Sequence, residues 1–288
     1  MRLDDLVRRL DDYFRVPDVR GDDWAPAFDA CYPDPYWRDH VEPGYEGRWD
    51  GLMVRGTPDV ACVATCVFPS DRIVDTLAPE TLLFSEHPLD FGDEPGFQPL
   101  SRASFQALQE VCAGFYHVHA PLDMHPEVSP SRLCAHGMRV DVDDEYFPIA
   151  EGIPGGAAVI GDCDATLDEL AARLHSYLGP EIPVEVVTRP RERASRVAVV
   201  AGGGAMLEPL EQSIERGCDT YVTGNAVTRC RLDFVRANVD AFNERAAEAG
   251  VAVIDGTHYG TEKPPQLAMV EWFRARGVPA EFLSDGPK

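Results

Sequence analysis

The opening of the chain places its apolar residues on one face of a helix. Leu3, Leu6, Leu10 and Phe14 recur at helical spacing, and charged residues fill most positions between them. Such a stripe predicts an amphipathic helix that packs on a core. The passage that follows, up to about residue 50, is rich in Pro, Trp and Tyr. It shows no clear period and predicts no regular element.

Apolar runs in the rest of the first half alternate with helical patterns. Strands are predicted at 60–68, 81–88 and 115–123, one helix follows the cap Ser70, and a second helix runs over 101–114 and ends at Gly114. This alternation indicates a mostly parallel sheet with helices on its faces. In such sheets, ligands gather at the carboxyl ends of the strands.

The middle of the chain interrupts this alternation. Residues 139–156 combine a charge run with Pro and Gly, which predicts a domain boundary or an exposed hairpin. The DVDDE stretch there lacks the Gly and the distal Glu of an EF-hand loop, so we interpret it as a solvated acidic face. We therefore predict an α/β fold of two domains, residues 1–138 and 139–288, with the last segment able to pack back on the first.

The second half resumes the helix and strand signals. Thr166 and Glu169 form a capping box before a leucine stripe that ends at Gly179, which predicts a helix. Beyond residue 196 strands and helices alternate again. The final helix is predicted over 264–277, because Gly260 and Pro264 disfavour an earlier start.

Composition narrows the class of protein. The chain has 288 residues, 44% of them hydrophobic, and 49 acidic against 26 basic residues give a net charge of −23. Such a surface repels nucleic acid and anionic membranes, so we expect neither as a partner. The amphipathic N-terminus is unlike a signal peptide, and we expect a cytoplasmic protein. Acid excess with only two lysines is typical of adaptation to high salt, although a GC-rich genome explains arginine over lysine equally well.

The eight cysteines contain no C-x-x-C pair and lie mostly among apolar or small residues. They are interpreted as small core residues in a reducing compartment rather than as a zinc-thiolate site.

Polar residues with metal-ligand chemistry follow several predicted strands. Glu86 and His87 end one strand, Asp123 ends another, and His258 and Glu262 follow a late strand at four-residue spacing. The last pair is either a turn with a stray histidine and a solvated glutamate, or half of a metal site. Imidazole and carboxylate ligands together suit Zn, Mn, Fe, Co or Ni, and this many side chains fit two ions better than one.

A glycine-rich segment, AGGGAM, joins a strand to a helix at 201–206. Its simplest interpretation is a tight turn with close packing. The alternative is that Gly202, Gly203 and Gly204 hold an anion through backbone N–H groups, although the segment matches no standard phosphate-binding motif.

Five segments together resemble a known family. EHPLDF, HAPLDMHPE, AGGGAM, CDTYVTGNA and THYGTE occur in the order and approximate spacing of the Nif-three-like dinuclear-metal-centre proteins, often named GTP cyclohydrolase I type 2 homologues. The resemblance runs from about Trp49 to Trp272. It implies a two-domain α/β subunit, a ring-shaped homo-hexamer, and two divalent metal ions in a cleft between the domains. By motif position the ligands would be Glu86, His87, Asp123, His258 and Glu262, with His119 a nearby site residue.

Two positions depart from the family pattern. Glu86 stands where the family usually has the first of two adjacent histidines, which adds a negative charge and a hard oxygen. We expect a shift toward Mn, Fe or Mg and away from Zn, unless Glu86 does not bind and one metal is lost. The second position lies in RWDGLMVRG, where the family has Trp-Asp-Asn before its glycine. This chain keeps Asp50 but lacks the asparagine, so a substrate contact through the asparagine amide is in doubt.

Two metal ions favour hydrolysis of a nucleotide, a phosphoester or a cyclic amidine. In that hypothesis His119 transfers a proton or orients a ligand, and the three glycines hold a phosphate of a small-molecule substrate. The alternative is a protein that stores, delivers or senses metal, or acts as a scaffold, without turnover. The aromatic N-terminal region, with Trp24, Tyr36 and Trp37, is a candidate subunit interface.

Overall fold

The computed structural model describes residues 1–19, 21–91, 96–152, 154–227, 233–284 and 286. Its α-helices are α1 Leu3–Phe14, α2 Ala25–Cys31, α3 Asp71–Val74, α4 Arg102–Glu110, α5 Ala120–Asp123, α6 Pro130–Met138, α7 Leu167–Leu178, α8 Leu207–Glu215, α9 Asp233–Ala249 and α10 His258–Arg274. Its strands are β1 Gly51–Arg55, β2 Cys62–Cys66, β3 Thr81–Ser85, β4 Asp90–Phe91, β5 Phe97–Gln98, β6 Gly114–His117, β7 Asp141–Tyr146, β8 Ala158–Thr166, β9 Glu185–Thr188, β10 Arg193–Val200, β11 Thr220–Thr223, β12 Ala252–Asp255 and β13 Ala280–Phe282.

Within the described residues the strands form two large sheets and a small hairpin. The first sheet has the order β1-β6-β3-β2-β13, and the second has the order β7-β8-β10-β11-β12-β9. In the first, β13, β2, β3 and β6 are parallel and β1 is antiparallel. In the second, β10, β11 and β12 are parallel, and antiparallel strands flank them. The predicted α/β class is confirmed, and both large sheets are mixed, with parallel strands and antiparallel strands beside them.

Helices cover both faces of each sheet, as the alternating pattern requires. On the first sheet, α1 and α10 pack on one face, and the predicted stripe of Leu3, Leu6, Leu10 and Phe14 is buried there. On the second sheet, α6 and α7 pack on one face and α8 and α9 on the other.

The aromatic N-terminal region packs on the remaining face of the first sheet. Trp37 is fully buried and Trp24 is 7% exposed, and both pack within their own chain beside Phe28 and Trp49. These two rings are therefore core residues, and a subunit interface at the N-terminal aromatic region, which also includes the half-buried Tyr36, stays a prediction. The segment lacks a period because short helices and turns place its aromatic rings individually in this core.

The C-terminal strand links the two halves of the molecule. β13 pairs in parallel with β2. The C-terminal strand therefore belongs to the first sheet, although it follows all strands of the second sheet in the sequence. The second sheet begins with β7 at Asp141, close to the predicted boundary at 138/139, and the domain division itself stays a prediction. The acidic segment there is an edge strand that pairs with β8, with alternate residues exposed.

Three predicted element boundaries are wrong, each for a local reason. Helix α4 ends at Glu110, and Gly114 instead begins β6, where a Cβ would lie 2.2 Å from the Val54 oxygen. The strand predicted over 115–123 ends at His117, and Asp123 lies in the short helix α5. The last helix starts at His258 rather than at 264.

Helix α10 contains two prolines. A proline has no N–H, so each leaves a carbonyl of the preceding turn without its donor, and one of these carbonyls has another donor. Pro265 cannot donate to Thr261, and the Thr261 oxygen accepts a hydrogen bond from the Cys134 Sγ at 3.4 Å instead. The prolines therefore do not end the helix, and His258 and Glu262 share one helical face.

No disulfide joins the seven cysteines within the described residues, and most of them are buried, as the sequence predicts. Cys230 lies outside the described residues. No helix in the described part of the chain has the length and apolar character needed to cross a membrane.

The capping box of α7 gives a stability test. The Thr166 side chain accepts from the Glu169 N–H, and the Glu169 carboxylate accepts from the Thr166 N–H. We expect Thr166→Ala to lower the free energy of unfolding by about 1 kcal/mol, since one helix N–H loses its acceptor. Urea denaturation measures this change. Thr166→Ser keeps the hydroxyl and is the matched control, and equal losses in the two variants would contradict the capping role.

Candidate metal centre

The carboxyl ends of parallel strands from both sheets meet at one place. Glu86 and His87 follow β3, and His119 follows β6 in the first sheet. From the second sheet, Gly202 follows β10 and His258 follows β12. Because parallel strands collect their carboxyl ends at one edge, distant segments bring polar side chains together here.

Three of the predicted ligands form a compact group. His87 Nε2 lies 2.8 Å from Glu262 Oε2, and His258 Nε2 lies 2.8 Å from Glu262 Oε1. One ligand atom from each of the three side chains lies within 4.8 Å of the others. This group of two imidazoles and one carboxylate could hold a metal ion.

Glu262 is a buried carboxylate between two imidazoles. Burial acts to raise its pKa, but the charges and hydrogen bonds of His258 and His87 outweigh it and hold the pKa of Glu262 well below its ordinary value. Burial lowers the pKa of His87 to about 4, so its Nε2–H donates to Glu262 from a neutral ring. Phe68 stacks on the His87 ring with centroids 4.4 Å apart and fixes its plane.

A strained residue sets the start of α10. Thr257 has φ 62° and ψ 150°, a region that non-glycine residues rarely occupy and that costs on the order of 1–3 kcal/mol. Its hydroxyl accepts from the Gly260 N–H at 2.9 Å, and its N–H donates to the Asp255 carboxylate at 3.0 Å. These bonds hold the turn that directs His258 and Glu262 into the cleft.

Gly202 provides the room that Glu262 needs. A Cβ at Gly202 would lie 1.9 Å from Glu262 Oε1, and its φ of +61° is strained for any other residue. The Gly202 N–H donates to the Thr261 hydroxyl at 2.8 Å. This N–H is therefore engaged inside the protein, and the predicted anion site at Gly202, Gly203 and Gly204 stays a prediction that depends on the other two glycines.

Glu86 and Asp123, the remaining predicted ligands, form a buried carboxyl pair beside Glu262. Glu86 is 0% exposed, and its Oε2 accepts from the Gln266 amide at 3.2 Å. Burial, followed by the charges of Glu262 and Asp123, raises the pKa of Glu86 well above its ordinary value. The pKa of Asp123 rises to about 7, with burial the main cause. Burial and mutual repulsion therefore disfavour a negative charge on both carboxyls at once.

His119 lies beside this pair and is held by a residue that the sequence analysis missed. His119 Nδ1 lies 2.5 Å from Asp22 Oδ2 and 3.9 Å from Asp123 Oδ2. Burial opposes a charge on the ring, but Asp22 and then Asp123 raise the pKa of His119 to about 10. Asp22 follows no periodic segment, and its only sequence signal was its place in an acidic, Trp-containing stretch.

Asp50 orients His119 through the backbone. Its Oδ1 accepts from the His119 N–H at 2.9 Å, and burial raises the pKa of Asp50 to about 8. From the sequence, Asp50 is noted only as a position that keeps the family pattern, without a role. The structure shows that it fixes the turn between β6 and α5. A second missed residue, His117, is buried with its Nδ1 at 3.1 Å from the Tyr45 hydroxyl.

A cavity of about 550 Å³ opens beside these side chains. Its lining includes His87, His119, Asp123, His258 and Glu262. A volume of this order is typical of small-molecule sites.

The DUF34/NIF3 (NGG1p interacting factor 3) family model matches residues 38–282. The chain belongs to the DUF34/NIF3 family. A Deinococcus radiodurans protein named GTP cyclohydrolase 1 type 2 homolog is 25% identical over 284 residues, covering 98% of this chain and 92% of that one. A Pseudomonas aeruginosa protein of the same name is 23% identical, with 83% of this chain and 88% of that one covered.

Solved structures share the fold of this DUF34/NIF3 chain. A crystal structure of a Thermus thermophilus protein superimposes with a TM-score of 0.65 at 22% identity, covering 100% of this chain and 99% of that one. At this identity the likeness concerns the fold. The family resemblance that the sequence motifs predict is confirmed.

The close approach of Gly202 and Glu262 gives a binding test. In Gly202→Ala the new Cβ displaces the Glu262 carboxylate from the two imidazoles, so we expect Mn²⁺ to bind about tenfold more weakly or worse. Titration calorimetry with Mn²⁺ measures this.

Gly203→Ala is the matched control, because the nearest side-chain atom to a Cβ there is 3.9 Å away. Circular dichroism shows that both variants fold. Equal Mn²⁺ affinity in the two folded variants would show that Glu262 is not part of a metal site.

Proposed function

We propose that this DUF34/NIF3 protein binds two divalent metal ions at Glu86, His87, Asp123, His258 and Glu262 and is a metal-dependent hydrolase. The observation that supports it best is the burial of Glu262 between two imidazoles, with the Glu86 and Asp123 carboxyls beside it. Buried carboxylates repel one another and are stable when cations neutralise them.

The donor set fits such ions. Among the described residues, the buried Glu86 Oε1 has no hydrogen-bond partner. The Nε2 protons of His87 and His258 point at the Glu262 carboxylate, and a cation can replace them at those nitrogens. Three carboxylates with two imidazoles favour Mn or Fe, with Zn a weaker match.

When bound, a pair of such ions supplies Lewis acidity and a water of lowered pKa. The chain's own residues would position the substrate and handle protons. Asp22 holds the His119 Nδ1 proton, so Nε2 of the same ring is the atom from which a proton can pass to a leaving group. Asp50 and the Trp24 ring, 5.2 Å from the His119 ring, fix its orientation.

The wider proposal follows the family resemblance. The substrate is a small molecule such as a nucleotide, a phosphoester or a cyclic amidine, the assembly is a homo-hexamer, and the location is the cytoplasm. Turnover of a panel of these compounds by Mn²⁺-loaded protein, against metal-free protein, tests the hydrolase part. Tight reversible metal uptake with no turnover on the panel would favour a metal-handling or scaffold protein instead.

Elemental analysis of the purified protein tests the ligand set. We expect about two divalent ions per chain, and loss of at least one in the double variant His258→Ala with Glu262→Ala. His175→Ala is the control, because His175 is exposed on α7 outside the cleft. Full stoichiometry in the double variant would show that these residues are not ligands.

Glu86 can be tested separately from the group of His87, His258 and Glu262. Glu86→Gln keeps the shape and the contact with Gln266 but removes the negative charge. We expect it to lose about one ion per chain, since an amide is a poor ligand for a dinuclear site. Unchanged metal content would show that Glu86 is not a metal ligand and that other residues hold the second ion.

A further inference from the structure

The cavity beside the proposed metal centre has an apolar wall as well as polar lining residues. Trp24, Phe97, Phe147, Ile149 and Met206 line this wall. Trp24 meets the Phe97 ring edge-on at 5.4 Å, and it also makes edge-on contacts with His87 and His119. The aromatic wall therefore adjoins the proposed metal ligands.

Two features of the apolar wall are unusual for residues that only fill a core. Phe147 has φ 60°, a left-handed conformation that costs a bulky residue about 1–2 kcal/mol and is found preferentially at functional sites. Met206 is 41% exposed, and its neighbour Leu207 is 46% exposed. A flexible thioether at the opening of a cavity can adapt to an apolar ligand.

The charge of the cavity limits what can enter. Among the described residues, none of those that line it is a lysine or an arginine, while Asp22 and Asp23 belong to its wall. Asp22, Asp23, Asp123 and Glu262 line it as acidic groups, and the His119 ring is paired with Asp22. The acidic lining would therefore repel the several negative charges of a polyphosphate, and few positive side chains are there to bind them.

We propose that this cavity binds a flat ring compound that is neutral or carries at most one negative charge, with a polar edge at the metal side and its ring against the apolar wall. This proposal rests on the proposed metal centre and narrows its substrate class. It places nucleosides, free bases and cyclic amidines ahead of nucleoside polyphosphates. A cavity of about 550 Å³ has room for a fused ring system with one substituent.

Titration calorimetry on Mn²⁺-loaded protein tests the substrate class. The neutral probes are guanosine, adenosine and pterin, and the anionic partners are GMP and AMP. We expect at least one neutral probe to bind, and any nucleoside that binds to exceed its monophosphate by about tenfold or more in affinity. Binding of no neutral probe, or tighter binding of the monophosphates, would overturn the proposal.

A pair of variants locates the binding. Met206→Lys adds a cation at the cavity opening. We expect it to weaken the binding of the neutral probe and to increase the affinity for the monophosphate relative to that probe. Leu267→Lys makes the same change at a residue of similar exposure, 43%, that does not line the cavity. Identical behaviour of the two variants would mean that the probe binds elsewhere and would overturn the proposal.

Metal content measured on the same samples separates this proposal from the proposed function. Retained Mn²⁺ with no binding of neutral probes would reject the substrate class alone. Protein that takes up no Mn²⁺ would reject the metal centre, and the substrate proposal with it.

Discussion

The burial of the Glu262 carboxylate is the constraint on which the rest of the site depends. Glu262 is 3% exposed, and its two oxygens face imidazoles from different parts of the chain. A buried charge without partners costs several kcal/mol, whereas a paired one is tolerated. His87 belongs to the first sheet and Glu262 to the helix that follows the second, so this pairing also joins the two halves of the molecule.

Several local features are explained by this one requirement. Gly202 lacks a side chain because the carboxylate occupies the space where a Cβ would lie. Thr257 occupies a strained conformation, and its bonds to Gly260 and Asp255 hold it there. Strain of this kind persists only where surrounding contacts outweigh it. Contacts inside the protein therefore set the positions of these side chains, as a centre that positions several ligands requires.

The sequence predicts those parts of the fold that depend on local pattern. The stripe of α1 and the capping box of α7 are recognisable because their residues interact within one or two turns. The start of α10 is not recognisable in this way. Pro265 leaves the Thr261 carbonyl without its helical N–H donor, and the carbonyl accepts from Cys134, more than a hundred residues away in the chain. The burial of Trp37 is equally non-local, because irregular backbone places its ring individually.

The candidate site shows the same division. Glu86, His87, Asp123, His258 and Glu262 could be named because they follow strands in motifs that resemble a family, although spacing alone could not show that they converge. Asp22 could not be named, because it acts through His119 from an irregular segment 97 residues earlier in the chain. A residue whose role is to hold another residue's proton has no local signature.

In the proposed centre, the carboxylate at position 86 links folding to cation binding. Burial, together with the charges of neighbouring carboxylates, raises the pKa values of Glu86 and Asp123. An imidazole at position 86 could remain neutral when no metal is bound, whereas a carboxyl must take up a proton or repel its neighbours. Cation binding to the folded chain removes that cost and stabilises the fold by mass action. In the proposed centre, a Glu at this position would therefore make the cleft more dependent on bound cations than a histidine would.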